Sequence, residues 1–239
     1  MAGSRRNDPL PSDSVNKKSL AAQIYEVLEE RIVSGKLAPG TRLAEGIIAK
    51  QLSVSRSPVR EAIAELQRVG LAERSSFHDR RVLVPTQKFV SDLFDSWIVL
   101  QCGQVYLSSL QATKEDLAEI ADILDSMKAA LSNKKRYREL SRRFSEMLKK
   151  GCDNGVLNGI IDGQRKHLHW LSSVYYAGEA ETPEESHNDH LLIYKNFRAQ
   201  DLTGLVTSIK QHADKQREKI LSKLTGGQKS GRARNGGLD

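Results

Sequence analysis

The first third of the chain has the pattern of three short amphipathic helices followed by two extended runs. Ser19 can cap a first helix, which stops at residues 34–35. A second helix is predicted over residues 44–52 and a third over residues 55–69. The apolar positions expected to face a core are Leu20, Ile24, Val27, Leu28, Ile32, Ile47, Ile48, Leu52, Val59, Ile63 and Leu66.

Residue types with known positional preferences mark the ends of the third helix. Ser55 is a good N-cap, Pro58 falls in the first turn, where its missing N–H costs nothing, and Gly70 suits the position after the helix. Extended runs follow at residues 71–73 and 82–84, with a polar loop between them. Two helices, a tight turn, a third helix and a hairpin are the order of a winged helix-turn-helix.

After Pro85 no strand pattern recurs, and helical periodicity continues. Thr113 and Asp201 have the residue types of N-caps. The predicted fold is therefore mainly α, with an N-terminal winged helix-turn-helix at residues 19–86 and an all-α six-helix bundle at residues 87–224. The six helices are expected over residues 88–111, 113–131, 134–150, 154–176, 183–199 and 201–224.

Composition narrows the classes of function open to these 239 residues. No apolar run approaches the ~20 residues that cross a bilayer, and no secretory leader pattern is present. Two cysteines are too few for a framework of disulfide bonds. We therefore expect a cytoplasmic protein with no membrane partner. The net charge is +7, and residues 17–86 hold 12 Lys and Arg against 8 Asp and Glu, while residues 91–224 balance. This excess indicates that the N-terminal part meets a polyanion. Residues 1–18 are expected to be a disordered arm and residues 225–239 a flexible basic tail.

The third predicted helix carries the sharpest functional signal. Arg56 and Arg60 are four residues apart and share an outer face beside the N–H groups of the helix N-terminus. There arginines can reach guanine O6 and N7, while serines and amides hold phosphates. The alternative is that Arg60 only pairs with Glu61 or Glu65 on the surface. The residues expected to contact DNA are Ser55, Arg56, Ser57, Arg60 and, at the end of the wing, Arg80 and Arg81, where solvated loop charges are the alternative.

Two stretches resemble the GntR family of bacterial transcription regulators: residues 37–45, LAPGTRLAE, and residues 52–63, LSVSRSPVREAI. The resemblance implies that the two arginines of the second stretch contact DNA, with the serines supporting them. The chain departs from the family at Gly46, where some relatives place a DNA-contacting arginine, and at residues 77–81, FHDRR, where relatives usually have a glycine. The remaining residues are similar to a FadR-type (FCD) effector domain of the six-helix, VanR-like variety.

The FCD resemblance implies a metal site that this chain keeps only in part. Many such domains bind a divalent ion through an Asp, a His four residues later and two further histidines. His190 and His212 match the later pair, but Ser141 and Ser145 stand at the first two positions, and hydroxyls are poor ligands for these ions. His187 is a candidate third imidazole. Three interpretations stay open: a divalent metal, hydrogen-bonded interior histidines, or a metal-free cavity for an organic effector.

A second departure from the resemblance concerns the start of the helical domain. Relatives tend to carry an arginine there, which helps to bind a carboxylate effector, followed by a glutamate. Trp97 and Gln101 stand at these positions, which favours an aromatic or less acidic effector unless Trp97 is a core residue. The basic series at residues 134–150 is expected to be a solvated face or a docking surface. The expected effector pocket comprises Trp97, Ser141, Ser145, His190 and His212.

Three functions therefore compete. The first is a homodimeric transcription regulator, in this family usually a repressor, that binds a palindromic operator and a small effector such as an organic acid or an aromatic compound. The second is an effector-independent DNA-binding protein whose helical bundle only dimerises. The third is an enzyme, but no nucleophile elbow, phosphate loop or paired-carboxylate motif accompanies the histidines, so we expect no catalytic residues.

Overall fold

The computed structural model describes residues 18–76, 79–175 and 182–233, with side chains as far as Thr225. The chain divides into two compact units. One consists of Gly40–Leu83 together with the chain up to Ile32, and the other of Val33–Pro39 together with the chain from Val84 onward.

The smaller unit combines three helices with a two-stranded antiparallel sheet. Its elements are α1 (Leu20–Val33), α2 (Glu45–Leu52), α3 (Arg56–Arg68), β1 (Ala72–Ser76) and β2 (Asp79–Val82). The stripe predicted on α3 is the centre of the core, which stabilises the unit because each buried aliphatic side chain contributes about 1.5–3 kcal/mol. The buried apolar side chains are Ile24, Leu28, Ile32, Leu43, Ala49, Val59, Ala62, Ile63, Leu66, Leu71, Ala72 and Val82.

Two tight turns place α3 in this unit. Ser53, at a φ of 55°, ends α2, and its N–H donates to the carbonyl of Lys50 at 3.3 Å. Gly70, at a φ of 76°, follows α3 as its residue type predicted, because glycine adopts this left-handed conformation without a steric cost. The link between α2 and α3 is three residues long, and the two helices pack against each other.

Some apolar positions of α1 and α2 were wrongly expected in the core. Leu20, Val27, Ile47 and Leu52 are exposed, Ile47 by 62%. In α2 only Ala49 is buried, because a helix of eight residues presents one narrow face to the core and its larger side chains lie on other faces.

The hairpin differs from its prediction in the position of its strands. β1 continues to Ser76 and β2 begins at Asp79, inside the segment expected to be loop, with Glu73 paired to Arg81. Residues 83–84, predicted as strand, follow the end of β2. The pattern missed this because a backbone ladder at the surface does not require apolar alternation. Residues 77 and 78, part of the predicted polar loop, lie outside the described residues.

The larger unit contains the six predicted helices. α4 packs against α7, α8 and α9, and α5 packs against α6 and α8. The largest fully buried side chains in this unit include Trp170, Phe144 and Phe197. The helices are α4 (Gln87–Ser109), α5 (Lys114–Ala129), α6 (Lys134–Met147), α7 (Gly155–Tyr175), α8 (Pro183–Arg198) and α9 (Leu202–Ala233).

Capping residues account for two of the helix starts, as predicted. Thr113 Oγ1 accepts a hydrogen bond from the Asp116 N–H at 3.1 Å, and Asp201 Oδ1 accepts one from the Gly204 N–H at 3.0 Å. The end of α9 differs from its prediction. The helix continues to Ala233, through the beginning of the segment predicted to be a flexible tail. A glycine weakens a helix by only about 1 kcal/mol, and extending an existing helix adds one hydrogen bond per residue. Residues 234–239 of the predicted tail and residues 1–17 of the predicted arm lie outside the described residues.

Candidate functional site

The N-terminal end of α3 is an exposed cluster of hydroxyl and guanidinium groups. Val59, Ile63 and Leu66 bury one side of the helix, which turns the side chains of the opposite side to solvent. Ser55 occupies the N-cap position, but among the described residues its hydroxyl makes no capping hydrogen bond to the first turn. The N–H groups of that turn therefore remain open to an anion. The exposed residues of this end are Ser55, Arg56, Ser57 and Arg60.

Glu45, the first residue of α2, links α3 to the hairpin. Its Oε2 lies 3.1 Å from Nε of Arg60, and its Oε1 pairs with Nη1 of Arg80. The predicted alternative for Arg60 was a pair with Glu61 or Glu65, yet the contact is with a neighbouring helix. The side chain of Arg60 stays 63% exposed despite this pair. Because exposed ion pairs contribute little, Arg60 can exchange this carboxylate for a phosphate or a base edge.

Arg56 lies over Gly46 of α2. A Cβ placed on Gly46 is 3.4 Å from Nη2 of Arg56, at the edge of an ordinary van der Waals contact. The glycine that departs from the family pattern therefore lies directly beside the Arg56 guanidinium. Within the described part of the chain Arg56 makes no ion pair, so its charge is available to a ligand.

The two wing arginines lie in different environments. Arg80 is mostly buried, and its Nε donates to Oε1 of Gln67 on α3 at 3.1 Å. Arg81 is nearly half exposed and pairs with Asp79 at 2.7 Å. Asp79 also forms an ion pair with Arg42, whose Nε lies 3.0 Å from Oδ1 of Asp79. Arg80 thus braces the hairpin against α3, whereas Arg81 and Arg42 remain at the surface.

The larger unit contains a cavity of about 370 Å³, a size typical of small-molecule sites. Four of the five residues predicted for an effector pocket line it: Trp97, Ser145, His190 and His212. Ser141 lies one helical turn before Ser145 and is not among the lining residues. The other lining residues are Phe94, Gln101, Val105, Phe144, Leu148, Lys149, Arg165, Leu168, His169, Ser172, Ile193, Ile209, Ala213 and Gln216.

The two histidines that match the FCD pattern, His190 and His212, have different hydrogen-bond partners. His190 is buried, its Nδ1 lies 3.4 Å from the Tyr137 hydroxyl, and burial lowers its pKa to about 3, so the ring is neutral near pH 7. The Nδ1 of His212 lies 3.2 Å from Oδ2 of Asp189. Asp189 also accepts from Nζ of Lys215 at 2.7 Å. Although burial opposes ionisation, these two partners hold the pKa of Asp189 at about 2.

This donor set does not fit a divalent metal. In the part of the chain that the structure describes, no three His, Cys, Asp or Glu side chains are grouped so as to hold an ion. Ser145 offers a hydroxyl where an imidazole is usual, and His187, the candidate third imidazole, does not line the cavity. Asp189 is occupied by a histidine and a lysine. Of the three interpretations, the geometry favours side-chain hydrogen bonding over metal coordination.

Sequence reasoning missed two cations in the cavity wall. Lys149 follows the end of α6 and Arg165 lies on α7, and both line the cavity. Burial and the charge of Arg165 lower the pKa of Lys149 to about 8. Lys149 had been grouped with a solvated basic face, an interpretation that holds for its neighbour Lys150, which pairs with Asp116 at 2.7 Å. No local signal marked it, because Lys149 and Lys150 both follow the end of α6 at Met147.

The open end of α3, the short preceding helix and the bracing hairpin define a DNA-binding protein of the winged helix-turn-helix class. The chain matches "Bacterial regulatory proteins, gntR family" over residues 20–77 and "FCD domain" over residues 92–215. It belongs to the GntR family of bacterial transcriptional regulators and carries an FCD domain, as the sequence motifs predicted. Like the relatives that it matches, it is a transcriptional regulator and not an enzyme.

Several known proteins are similar to this chain. The regulator YdhC of Bacillus subtilis, itself uncharacterized, is 29% identical over 170 residues, which cover 69% of this chain and 76% of that protein. The gluconate operon transcriptional repressor of the same organism is 32% identical over 130 residues, covering 51% of this chain and 49% of the repressor. The solved structure of E. coli McbR/YncC shares the fold, with a TM-score of 0.62, 21% identity, and coverage of 87% of this chain and 99% of that one. None of the helices in the described residues carries an apolar stretch long enough to traverse a bilayer.

Proposed function

We propose that this regulator is a homodimeric repressor that reads a palindromic operator with α3 and releases it when a small molecule fills the cavity of the FCD domain. The observation that carries the proposal is the N-terminus of α3, where Arg56 and Arg60 are exposed beside open backbone N–H groups. Such a helix end supplies both phosphate contacts and bidentate guanine contacts. An operator-binding protein works where the chromosome is, so we expect it in the cytoplasm.

The wing adds positioning and backbone contacts to this interface. Arg80 holds the hairpin against α2 and α3, so its substitution is expected to disturb the placement of the wing as well as any contact of its own. Arg81 and Arg42 are exposed at the edge of β2 and are suited to phosphates, which position a protein on the duplex without reading its sequence.

Homodimerisation is supported by an uncovered face of α4 and α7. Val99 of α4 and Val156 and Ile160 of α7 are largely exposed. A Cβ added at Gly103 or Gly159 on the same faces meets no atom within 4 Å, so another helix can approach closely. We infer that a second copy covers this face, because one recognition helix reads too few base pairs and two helices are needed on a palindrome.

Effector control is supported by the cavity itself, which joins apolar walls to polar groups on five helices or their ends. The wall contains both α4 and α9, so a ligand that prefers one arrangement of these helices can shift the equilibrium between two states of the dimer. Repression is the sense supported by the relative that is named a repressor.

Selection from a pool of randomised DNA duplexes tests the proposal. The full chain is expected to enrich an inverted repeat whose half-sites lie about one helical turn apart. Failure to enrich any sequence contradicts operator reading. Sedimentation of the Val156→Asp variant, with Lys166→Asp as a control on the same helix, tests the dimer face. Only the first variant is expected to sediment as a monomer.

A second candidate is an effector-independent regulator whose FCD domain only dimerises. It is favoured by the replacement of the usual first two metal ligands with Ser141 and Ser145. A thermal-shift screen separates the two candidates, since a ligand at 100 times its Kd adds about 2.7 kcal/mol of stability. A protein without effector control shows no shift with any compound and still binds the operator.

A further inference from the structure

Helix α6 and the residues just after it carry an excess of positive charge that the rest of the larger unit does not share. Residues 134–150 contain eight Lys and Arg against two Glu, whereas residues 91–224 as a whole hold equal numbers of acidic and basic side chains. Tyr137, Leu140 and Phe144 are buried, which turns the opposite side of the helix to solvent. The exposed basic residues of the helix are Lys134, Lys135, Arg136, Arg138, Arg142 and Arg143.

The first turn of α6 places its charges against the electrostatics of the helix. It contains Lys134, Lys135 and Arg136 and no acidic side chain. The N-terminal end of a helix carries partial positive charge, so acidic residues stabilise it and basic residues destabilise it. The first turns of α5 and α8 follow this preference, because each holds two acidic residues. The stability of α6 therefore does not explain why these cations are present.

Ion pairs within the unit neutralise only part of this surface. Of the six exposed cations, three pair with a carboxylate of α5 or α6, and the longest of these pairs joins Arg142 to Glu146 at 3.8 Å. The other three, Lys134, Lys135 and Arg138, form no ion pair with the residues that the structure describes. Positions 134, 138 and 142 are four residues apart and follow one side of the helix. With their neighbour they form the α6 stripe: Lys134, Lys135, Arg138 and Arg142.

The surroundings of the α6 stripe indicate which kind of partner it fits. None of the large apolar side chains that are exposed in the described residues belongs to α6. Protein interfaces are centred on apolar or aromatic side chains, and helices that bind a membrane surface insert an apolar face, so both partners need what this surface lacks. Backbone phosphates of nucleic acid need only cations, and a guanidinium binds a phosphate through two parallel hydrogen bonds.

Duplex DNA is the polyanion that a regulator of this family holds. Once the winged unit binds an operator, other phosphates of the same duplex are present at a high effective concentration for a weak second site on the chain. The duplex carries one negative charge about every 1.7 Å along its axis. The α6 stripe spans eight residues, or about 12 Å, and is therefore long enough to meet several phosphates.

We propose that the α6 stripe binds backbone phosphates of the DNA that flanks the operator, so that the helical domain adds sequence-independent affinity to the recognition made by α3. None of the four residues lines the cavity, so the contact requires no effector. The contact goes beyond the proposed function, because it gives the helical domain a DNA surface of its own.

Binding of the full-length protein to duplexes of two lengths tests the proposal. One duplex is the selected operator alone, of about 20 base pairs, and the other adds about two helical turns of random sequence on each side. The wild type is expected to bind the longer duplex about tenfold more tightly at low salt concentration. Its slope of log K against log salt concentration should also be steeper on that duplex by at least about two, because each neutralised phosphate contributes about 0.9.

The triple variant Lys134→Gln, Lys135→Gln and Arg138→Gln removes the cations that have no ion pair. We expect it to bind both duplexes with affinities and salt slopes close to those of the wild type on the shorter duplex, within about twofold in affinity. It should melt at the same temperature as the wild type or higher, because it removes positive charge from the positive end of a helix. A lower melting temperature contradicts the premise that these cations do not serve the fold.

The matched control is Lys114→Gln, Lys195→Gln and Arg198→Gln, which removes the same charge from exposed positions on α5 and α8 and should keep the preference for the longer duplex. Equal binding of the two duplexes by the wild type overturns the proposal and leaves operator recognition by α3 standing. Persistence of the length preference in the stripe variant overturns it as well. If the stripe variant sediments as a monomer, the surface belongs to a second copy of the chain and the assignment to DNA is wrong.

Discussion

Two carboxylates, one in each unit, each contact two basic side chains, and the comparison shows how burial changes the role of such a carboxylate. Glu45 pairs with Arg60 and Arg80 in the winged unit, and its side chain is 20% exposed. Asp189 pairs with His212 and Lys215 in the helical unit, with its side chain 7% exposed. Water competes for the ion pairs of Glu45, so the arginines of that set can exchange the carboxylate for DNA. The side chains around Asp189 are held in place and form part of the structure behind the cavity.

The largest effect is expected at the buried carboxylate. We predict that Asp189→Asn lowers the free energy of unfolding by about 2–4 kcal/mol, because it removes the charge of a buried carboxylate that contacts both His212 and Lys215. Urea unfolding at pH 7 measures this, with the exposed Asp122→Asn as the control. The pKa of Asp189 is held at about 2, below its ordinary value, so the advantage of the wild type is present above about pH 4 and is lost as the pH falls toward 2. A cost below 1 kcal/mol contradicts the contrast with Glu45.

The second effect concerns DNA binding at the exposed cluster. Arg60→Ala is predicted to weaken operator binding by about 1–3 kcal/mol, since a bidentate base contact is lost, and to leave the unfolding free energy nearly unchanged. Fluorescence anisotropy at fixed salt concentration measures the affinity. Arg68→Ala, at the far end of α3 and paired with Glu65, is the matched control and should bind like the wild type. Equal affinities of the Arg60 variant and the wild type contradict the assignment of α3 as the reading helix.

A third prediction concerns the partly buried lysine of the cavity wall. Lys149→Met should stabilise the protein by about 1–2 kcal/mol at pH 7, because it removes an ammonium group that burial disfavours. The folded-state pKa of about 8 lies below the ordinary value of 10.5, so wild-type stability should rise between pH 8 and pH 10.5 relative to the variant. Thermal denaturation of both proteins across this range checks the sign. A destabilised variant at pH 7 indicates that Lys149 has a structural partner instead.

The smallest effect is expected at Glu45. Glu45→Gln should cost about 0.5–1 kcal/mol, because its partner Arg60 is already solvated and Arg80 keeps its hydrogen bond to Gln67. Unfolding measured at low and at high salt concentration should show the cost shrinking as salt screens the pairs. A loss as large as that of Asp189→Asn removes the distinction drawn between the two carboxylates.

Most elements of the fold were predictable because local patterns and capping chemistry agree with the tertiary structure. All six helices of the larger unit, the caps at Thr113 and Asp201 and the glycine turn after α3 follow from periodicity and residue type. The exposed positions of Arg56 and Arg60 follow in the same way, because the apolar stripe of α3 determines which side is outward. The two strands of the hairpin were predicted with shifted bounds, because their ladder is made by the backbone of mostly exposed polar residues.

The cavity residues were predictable only in part, and the reason is packing between distant segments. The resemblance to the FCD domain marked His190, His212, Trp97 and Ser145 as candidates. Nothing local distinguishes Lys149 from Lys150, since both follow the same basic helix. Only the packing of α6 against its neighbours places one ammonium in a cavity and the other beside Asp116 at the surface.

The order of residues alone thus established the class of fold, the family and the outward face of α3, because these depend on periodicities within single helices and on short motifs. The tertiary structure decided which charges are buried, which carboxylates they share and which cations remain without one. These properties depend on distances between residues far apart in the chain, and electrostatic energy changes steeply with distance and with access to water.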